Sequence, residues 1–241
     1  MQLSIVIPAY NEADRIVTTL TRTLSYLNRQ NYRSEVIVVS DGSKDETKAL
    51  VERRFPSSEK VYVKAIEYHP NRGKGYAVRF GMLQGTGSWI MFMDADYAVP
   101  IQEIEKGIPL LQAGADVAIA SRALCGSVVE KHQNIFREIS AKIYTFIQNR
   151  YLGIDYQDTQ CGFKLFQALA AKVLFEKQRL DSVIFDPEIL WLAKEHGFKT
   201  TEFPVKWRHI ENSRIVYDSF RKSLFVFQEL FRIKKLHRED R

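Results

Sequence analysis

The chain has 241 residues, of which 45% are hydrophobic and 27% are charged, with a formal net charge of +6 at pH 7. This composition excludes a disordered or disulfide-stapled chain and indicates a globular protein large enough to bury a substantial core. The positive charge favours an anionic partner, although it also serves solubility. Cys125 and Cys161 lack metal-ligand spacing, so we expect reduced thiols.

Strands and helices alternate through the first half of the sequence. Short apolar runs predict strands at 3–7, 36–39, 61–66, 89–93 and 116–120. Apolar residues at helical spacing lie between them. Asn11 is expected to cap the first helix, with Glu12 in its first turn, and Ser43 to open the second through a capping box with Glu46. The alternation predicts a three-layer α/β/α fold with a mostly parallel central sheet.

The second half has a different rhythm. Helices are predicted at 135–152, 168–176, 186–196 and 217–236, and strands at 163–166 and 201–207. We expect the strand at 163–166 to pair at the edge of the sheet. Pro204 argues for an edge position of the last strand as well, because proline cannot donate to a sheet ladder.

The predicted strand at 89–93 ends in Asp94-Ala95-Asp96. Two carboxylates one residue apart repel each other, and a cation between them relieves the repulsion. Oxygen ligands suit Mg²⁺ or Mn²⁺, and Mg²⁺ commonly joins carboxylates to substrate phosphates. The spacing therefore predicts a metal–diphosphate site, with a solvated turn as the structural alternative.

Three further loops that follow strands carry polar residues, at 8–12, 41–43 and 72–75. Such loops meet at one edge of a parallel sheet, where ligands bind. Glu12 and Asp41 can accept hydrogen bonds from a base or a ribose, and Arg72 and Lys74 can approach a phosphate. A helix cap at Asp41 and a solvated loop at the two cations are the alternatives. No dinucleotide-binding glycine motif follows the first strand, and no P-loop is present.

Several segments resemble a known family. Residues 5–12, 38–43 and 94–96 resemble the family 2 glycosyltransferases of GT-A fold. Residues 158–166 are more specific and are similar to the dolichyl-phosphate β-glucosyltransferases and their polyprenyl-phosphate relatives. The resemblance implies an inverting transfer of a hexose from a nucleotide-diphosphate sugar to a polyprenyl or dolichyl phosphate.

The residues and the resemblance together give a predicted site. The nucleotide-sugar pocket comprises Pro8, Tyr10, Glu12, Asp41, Arg72, Lys74, Asp94, Ala95, Arg208 and Arg214. Asp94 and Asp96 are the predicted ligands of the divalent cation. The resemblance implies that Arg122, Arg137 and Ser140 meet the lipid phosphate and that Asp158 lies in the acceptor loop. Asp96, Asp158, Arg122 and Arg137 form the predicted catalytic set.

Two departures from the family pattern carry information. Mannosyl-transferring relatives have a glutamine two residues after the second acid, as an additional metal contact, whereas this chain has Ala98. Because alanine cannot ligate a metal, we expect UDP-glucose rather than GDP-mannose as the donor. Many relatives also carry a transmembrane segment. This sequence shows no signal peptide and no apolar run of that length, so we expect a cytoplasmic chain.

The predicted last helix is amphipathic. Its apolar stripe comprises Tyr217, Phe220, Leu224, Phe227 and Phe231, and basic residues lie off that stripe. Such a helix can lie in a headgroup layer, which predicts peripheral attachment to the cytoplasmic face of a membrane. Core packing and a homo-oligomer contact are the alternatives. We expect residues 1–241 to form a single GT-A domain, with a nucleotide-sugar half (1–122), an acceptor half (123–215), and this helix with its basic tail (216–241).

The predicted chemistry needs placement more than proton transfer. A phosphate monoester is largely ionised at neutral pH, so Arg122 and Arg137 would hold it while Asp158 orients a neighbour. Asp158 would act as a general base if the acceptor were a hydroxyl. An Asx turn is its structural alternative.

Other functions stay open. A family 2 enzyme could use another donor, such as GDP-mannose or another UDP-sugar, or a sugar hydroxyl or protein as acceptor. A sugar nucleotidyltransferase is a weaker alternative, because the first loop lacks the glycine-rich lead of that class. An inactive, membrane-associated module that binds nucleotide sugars is the non-enzymatic alternative. No motif resembles an RNA-binding strand, so we expect no nucleic-acid partner.

Overall fold

A seven-stranded sheet organises the computed structural model, which describes residues 1–130, 135–210 and 220–238. The strands are β1 (Leu3–Ala9), β2 (Ser34–Asp41), β3 (Val61–Tyr68), β4 (Trp89–Met93), β5 (Val117–Ser121), β6 (Val128–Glu130), β7 (Phe163–Gln167), β8 (Thr200–Pro204) and β9 (Lys206–Arg208). The helices are α1 (Ile16–Leu27), α2 (Thr47–Arg54), α3 (Lys74–Met82), α4 (Ile104–Gln112), α5 (Ile135–Leu152), α6 (Ala168–Lys177), α7 (Phe185–Glu195) and α8 (Phe220–Leu236).

The sheet separates two hydrophobic cores. Its strand order is β3-β2-β1-β4-β7-β5-β8, and every strand except β7 runs parallel to the others. Side chains alternate between the faces with the period of two of a strand. Leu3, Ile5 and Ile7 therefore belong to the core under α1 and α4, whereas Val6 belongs to the core under α3, α6 and α7. The three-layer α/β/α arrangement predicted from the sequence is confirmed.

The position predicted for the strand at 163–166 is wrong. β7 lies inside the sheet, antiparallel to both β4 and β5. Its apolar residues Phe163, Leu165 and Phe166 are fully buried. Lys164 lies between them, and a charged residue in a strand normally indicates an exposed, edge position. This lysine is nevertheless fully buried. Since β7 runs against its neighbours, the loop before it lies at the edge where β4 and β5 end.

The last predicted strand divides in two. β8 pairs with β5 at the edge of the large sheet, which confirms the edge position that Pro204 indicated. After Val205 the chain leaves that sheet, and β9 pairs with β6 in a separate two-stranded sheet. The segments 131–134 and 211–219, predicted as irregular or loop apart from the start of the last helix, lie outside the described residues.

Both predicted helix caps are wrong. α1 begins at Ile16, preceded by Arg15, and Asn11 has a positive φ of 54° four residues before that cap position. α2 begins at Thr47, so Glu46 occupies the cap position without a side-chain cap bond. The polar side chains instead join the two loops. Asn11 N donates to Ser43 Oγ (3.1 Å), and Lys44 N donates to Asn11 Oδ1 (2.8 Å).

α8 packs on the core through Leu230 and Ile233, which lie off the predicted stripe, and through Phe227, a partly buried member of that stripe. Leu230 and Ile233 are fully buried, with Glu229 and His237 on the same face, whereas Leu224 and Phe231 are each 48% exposed. Two charged or polar groups on the buried face concealed it in the sequence. Tyr217 lies outside the described residues. Among the described helices, none is long and apolar enough to cross a membrane.

Candidate active site

The carboxyl ends of β1, β2, β3, β4 and β5 lie at one edge of the sheet, because these strands are parallel. β7 begins at the same edge. The loops after the parallel strands and the loop before β7 therefore meet there, as predicted for the first four. Hydrogen bonds join the loop after β2 to the loops after β1 and β3, and join the loop before β7 to the loops after β4 and β5. We call this edge the active-site edge.

The loop after β1 is fixed by ionic and backbone contacts. Glu12 is 7% exposed, and its carboxylate accepts hydrogen bonds from Arg15 Nε and Nη2, both at 2.6 Å. Thr47 Oγ1 accepts a bond from Glu12 N at 2.9 Å. Pro8 is buried within β1, while Tyr10 is 37% exposed at the active-site edge. Glu12 thus meets a protein cation, and Tyr10 is the exposed member of the predicted base pocket.

Asp41 organises the loop after β3. Its Oδ1 accepts a hydrogen bond from Arg72 N (2.7 Å), and its Oδ2 accepts bonds from Gly73 N and Asn71 Nδ2, both 2.9 Å. The side chain is 3% exposed. A φ of 104° at Gly73 allows the backbone to turn toward the carboxylate. Asp41 therefore positions the cationic loop, which is a role that its own sequence context did not reveal.

Arg72 and Lys74 leave that loop in different directions. The Lys74 ammonium lies 2.7 Å from Asp94 Oδ1. The Arg72 guanidinium lies 3.5 Å from the centre of the Tyr76 ring and pairs with Asp181 at 3.4 Å. Burial lowers the pKa of Lys74, but the charges of Asp94 and of Asp186 outweigh burial and raise it above its usual value. Lys74 is therefore a fixed positive charge beside the first acid.

Asp96, the second of the two acids, is partly buried beside Asp94. Burial, and next the charge of Asp94, raise the pKa of Asp96 above its usual value. Ala98 N donates to Asp96 Oδ1 at 3.0 Å, which offsets part of that effect. Between the acids, Ala95 is buried, and its carbonyl accepts a 2.6 Å bond from Thr19 of α1. The repulsion predicted from the sequence is present in the structure.

Arg122 and Asp158 form a bidentate ion pair. Arg122 Nε donates to Oδ2 of Asp158 (2.6 Å), Nη2 donates to Oδ1 (2.8 Å), and the Arg122 backbone N donates to Oδ2 (3.0 Å). Burial raises the pKa of Asp158, but Arg122 outweighs it and holds the pKa below its usual value. A carboxylate of this kind is a poor proton acceptor. Asp158 therefore orients Arg122, which is the role expected for a phosphate acceptor.

A small cavity lies between the acid pair and the ion pair. Its lining comprises Met93, Asp94, Ala98, Val99, Arg122, Gln160, Gly162, Phe163 and Trp207. The Arg122 guanidinium lies 5.6 Å from the centre of the Trp207 ring. The Asp94 carboxylate lies against the backbone of Gly162, and only glycine leaves room for it, because a Cβ at Gly162 would lie 2.1 Å from Asp94 Oδ2. The Gly162 carbonyl accepts a 3.1 Å bond from Asp94 N, so the two predicted halves of the site are in contact.

Of the other predicted site residues, Arg208 contacts this cluster through its backbone, since its N donates a 2.9 Å hydrogen bond to the Ala98 carbonyl. Arg208 pairs with Glu130 at 2.8 Å across the β6–β9 sheet, with its side chain 60% exposed. Ser140 is exposed on α5, and Arg137 belongs to α5 with its side chain outside the described set. Arg214 lies outside the described residues. The roles of these four residues stay predictions.

Sequence reasoning missed four residues. Trp207 and Gln160 line the cavity, and Lys164 and Asp186 form a buried ion pair behind it. Trp207 follows Pro204 in a segment whose pattern indicates only a strand. Lys164 falls in the segment 158–166 that resembles the family, but a lysine in a strand normally indicates exposure. No sequence signal pairs Lys164 with Asp186, because they meet only through the position of β7.

Comparison with known proteins agrees with this geometry. Residues 4–175 match the model of Glycosyl transferase family 2. The chain is 36% identical over 228 residues to the Dolichyl-phosphate beta-glucosyltransferase of Drosophila melanogaster, covering 89% of this chain and 69% of that protein. It is 34% identical over 226 residues to the Homo sapiens protein of the same name, covering 89% and 70%.

The fold is also that of solved structures. Glucosyl-3-phosphoglycerate synthase from Mycobacterium tuberculosis, in complex with Mn²⁺, uridine-diphosphate and glucosyl-3-phosphoglycerate, superposes with a TM-score of 0.67. Its sequence identity is 15%, covering 98% of this chain and 79% of that one. At this identity the likeness shows the fold alone, which is the predicted GT-A arrangement. The chain therefore belongs to glycosyl transferase family 2.

Proposed function

We propose that this glycosyltransferase moves glucose from UDP-glucose to a polyprenyl phosphate of the dolichyl type, with inversion at the anomeric carbon. Relatives named Dolichyl-phosphate beta-glucosyltransferase support the sugar and the acceptor class. One observation carries the proposal: the acid pair beside Lys74 and the Arg122–Asp158 pair line the same edge, and the bond between Asp94 and Gly162 joins them. A donor diphosphate and an acceptor phosphate would thus meet there.

The acid pair fits a divalent cation. Burial and the charge of Asp94 raise the pKa of Asp96, so a positive ion there would stabilise the ionised form. Among the described residues, no group of three or more His, Cys, Asp or Glu is arranged to hold a metal. Asp94 and Asp96 would therefore share the ion with diphosphate oxygens and water, as Mg²⁺ sites commonly do. When bound, Mg²⁺ or Mn²⁺ supplies positive charge to the departing diphosphate.

Residues of the chain supply the rest of the donor site. Lys74, whose charge is maintained by the acids around it, would neutralise part of the diphosphate charge. Asp41 holds the loop that carries Lys74 through three hydrogen bonds to Asn71, Arg72 and Gly73. Ala98 offers only its backbone N–H to Asp96, in keeping with a uridine rather than a guanosine donor.

The acceptor needs an oriented cation more than a base. A phosphate monoester has a second pKa of about 6, so it is already largely charged at neutral pH. Arg122 gives Nε and Nη2 to Asp158, and we assign its Nη1 to the acceptor phosphate. Trp207 covers the guanidinium from one side. This arrangement pre-orients the arginine and lowers the entropic cost of binding the phosphate.

A lipid acceptor also gives a use to exposed apolar residues. Ile143 and Phe146 of α5 are 54% and 71% exposed, and Leu224, Phe225 and Phe231 of α8 are 44–48% exposed. The two helices contact each other through Tyr144–Phe227 and Tyr151–Phe231 ring pairs. We call these five exposed residues the apolar patch. We assign the apolar patch to contact with the cytoplasmic surface of a membrane.

A product assay tests the proposed function. The purified chain is incubated with Mg²⁺ or Mn²⁺, polyprenyl phosphate and one of UDP-glucose, another UDP-sugar or GDP-mannose, and the lipids are analysed by mass. We expect hexosyl polyprenyl phosphate from UDP-glucose, and no product from the unphosphorylated polyprenol. Transfer from GDP-mannose alone would overturn the donor assignment. Transfer to a sugar hydroxyl without transfer to the lipid phosphate would overturn the acceptor assignment.

A further inference from the structure

Lys164 is a charged residue at the centre of the sheet. It belongs to β7, where its neighbours across the ladders are Phe92 of β4 and Ile119 of β5. Its side chain is 0% exposed, and its ammonium lies 5.4 Å from the centre of the Phe92 ring. Burying a charge is costly unless it is paired. An apolar side chain would satisfy packing at this position, so the lysine indicates a further role.

The Lys164 ammonium makes two contacts. It forms an ion pair with Oδ1 of Asp186, which lies in the first turn of α7 with its side chain 3% exposed. It also donates a 2.7 Å hydrogen bond to the Cys161 carbonyl. Cys161 lies in the loop before β7 and is 2% exposed. Lys164 therefore fixes Cys161, within the segment 158–162, to α7.

One end of this segment sets the donor side of the site. Gly162 follows Cys161, and the Gly162 carbonyl accepts a hydrogen bond from Asp94 N at 3.1 Å. A Cβ at Gly162 would lie 2.1 Å from Asp94 Oδ2, so backbone and acid are in contact. Asp94 also pairs with the Lys74 ammonium at 2.7 Å, so a shift of Gly162 would disturb this ion pair as well.

The other end of the segment sets the acceptor side. Gln160 N donates to Asp158 Oδ1 at 3.1 Å, and Asp158 holds Arg122 through two side-chain bonds. Only a few residues thus separate the contact with the donor acid from the contact with the acceptor arginine. A shift of Cys161 would move both ends relative to each other.

We propose that Lys164 and Asp186 are a buried positioning pair, which holds the segment 158–162 so that Asp94 and Arg122 keep the separation that transfer requires. The pair touches neither substrate, and the inference rests on the proposed function. In well-oriented sites a misplacement of about 1 Å costs about 10²-fold in rate. The pair is therefore expected to act on kcat more than on substrate binding.

The test compares removal of both charges with removal of one. Lys164→Met alone leaves Asp186 buried without its cation and is expected to unfold at a lower temperature. In the double variant Lys164→Met/Asp186→Leu both charges are absent, and replacing a whole buried pair by apolar residues is often near neutral for stability. We expect the double variant to recover most of the thermal midpoint, with kcat still about 10–100-fold below wild type and the KM values changed by less than about threefold.

A second variant and a second readout complete the test. Asp186→Asn keeps the shape of the side chain but leaves the Lys164 charge buried without its anion, so we expect a lower thermal midpoint. Below that midpoint we expect its kcat to fall about tenfold at little-changed KM. Hydrogen–deuterium exchange of a peptide covering 158–165 should increase in the double variant. Glu35→Gln is the matched control, since Glu35 is buried and hydrogen-bonded to Ser4 and Thr86 at the opposite edge of the sheet; it should lose stability and retain kcat.

The outcomes separate this inference from the proposed function. Wild-type kcat in the folded double variant or in Asp186→Asn would overturn the positioning role, and the pair would be a packing element. Absence of transfer by the wild-type chain would overturn the proposed function instead. In that case the hydrogen–deuterium exchange measurement still tests the positioning pair. Unchanged protection of 158–165 in the double variant would contradict the proposal that Lys164 fixes this segment.

Discussion

At the residue scale, Asp96 and Asp158 are two acids that the site treats in opposite ways. Burial and Asp94 raise the pKa of Asp96, whereas Arg122 outweighs burial and lowers the pKa of Asp158. The ionised form of the first acid would gain from an added cation, while the second already has its cation in Arg122. Opposite environments assign different roles to chemically similar groups.

The assignment of Asp96 to the donor site predicts a large loss on substitution. Asp96→Asn keeps the shape and removes the charge, so we expect kcat with UDP-glucose to fall about 10²–10³-fold. Titration of Mn²⁺ at saturating donor is the measurement, with Glu59→Gln as control because Glu59 is exposed before β3, at the opposite edge. Substantial transfer by Asp96→Asn at saturating metal and donor would contradict the assignment.

The Arg122–Asp158 pair predicts a pH dependence of stability. The pKa of Asp158 is lower in the folded protein than its usual value of 3.8. Its ionic contribution is therefore fully present above that value and is lost as pH falls through the lower folded pKa. We expect Asp158→Asn to lower the urea midpoint at pH 7, and the difference from wild type to shrink below about pH 4. A difference that stays constant down to about pH 2 would show that the ionised pair does not stabilise the fold.

At the element scale, the segment 178–182 connects α8 to the cationic loop. Ser182 Oγ donates to Glu229 of α8 at 2.9 Å. On its other side, Gln178 Nε2 donates to the Gly75 carbonyl at 2.9 Å, and Tyr76 N donates to the Asp181 carbonyl at 3.2 Å. The loop that carries Lys74 thus rests on a segment that α8 holds from behind.

Close packing at Gly75 makes this support testable. A Cβ at Gly75 would lie 2.6 Å from the carbonyl oxygens of Leu180 and Ser182. Both are backbone atoms, so the first turn of α3, which carries Lys74, has to shift in Gly75→Ala. We expect UDP binding measured by calorimetry to weaken about tenfold, equivalent to about 1.4 kcal/mol.

Gly114→Ala is the control for Gly75→Ala. Gly114 has a φ of 93°, and nothing lies within 4 Å of the position that a Cβ would take there, so alanine costs stability through backbone strain without touching the site. Its UDP affinity should equal that of wild type. Unchanged affinity in Gly75→Ala as well would show that the loop is not supported by 178–182.

The same elements show what the sequence can predict. Hydrophobic periodicity located most strands and helices to within a few residues, because a core imposes periods of 2 and 3.6 on whichever residues face it. It did not locate α4 or the short strand β6. Asp94 and Asp96 were recognisable because an apolar strand stops at them. The position of β7 could not be predicted because the pairing order of strands is a long-range property. Lys164 also suggests an exposed strand, and its burial is made tolerable by Asp186 and the Cys161 carbonyl, which the sequence does not pair with it. The contacts of Asp41 with 71–73 were equally invisible, since they depend on two loops meeting.

At the scale of the whole molecule, the apolar patch on α5 and α8 lies among cations. Lys142 and Arg150 of α5 are exposed, as are Arg232 and Lys235 of α8. Apolar side chains beside basic ones suit a surface of anionic lipid headgroups. Another face of α8 packs on the core, since Leu230 and Ile233 are fully buried. α8 therefore both packs on the domain and presents apolar residues outward.

Vesicle binding tests this surface. Phe146→Ser/Leu224→Ser removes two exposed apolar side chains, and burial of one such side chain contributes about 1.5–3 kcal/mol. We expect flotation with vesicles containing anionic lipid to fall at least about tenfold, and the binding that remains to weaken with salt, because the basic residues act electrostatically. Leu169→Ser is the control, since Leu169 is 69% exposed on α6. Equal flotation of all three proteins would exclude the apolar patch from membrane contact, and a concentration-dependent change in sedimentation by Phe146→Ser/Leu224→Ser would assign it to a homo-oligomer instead.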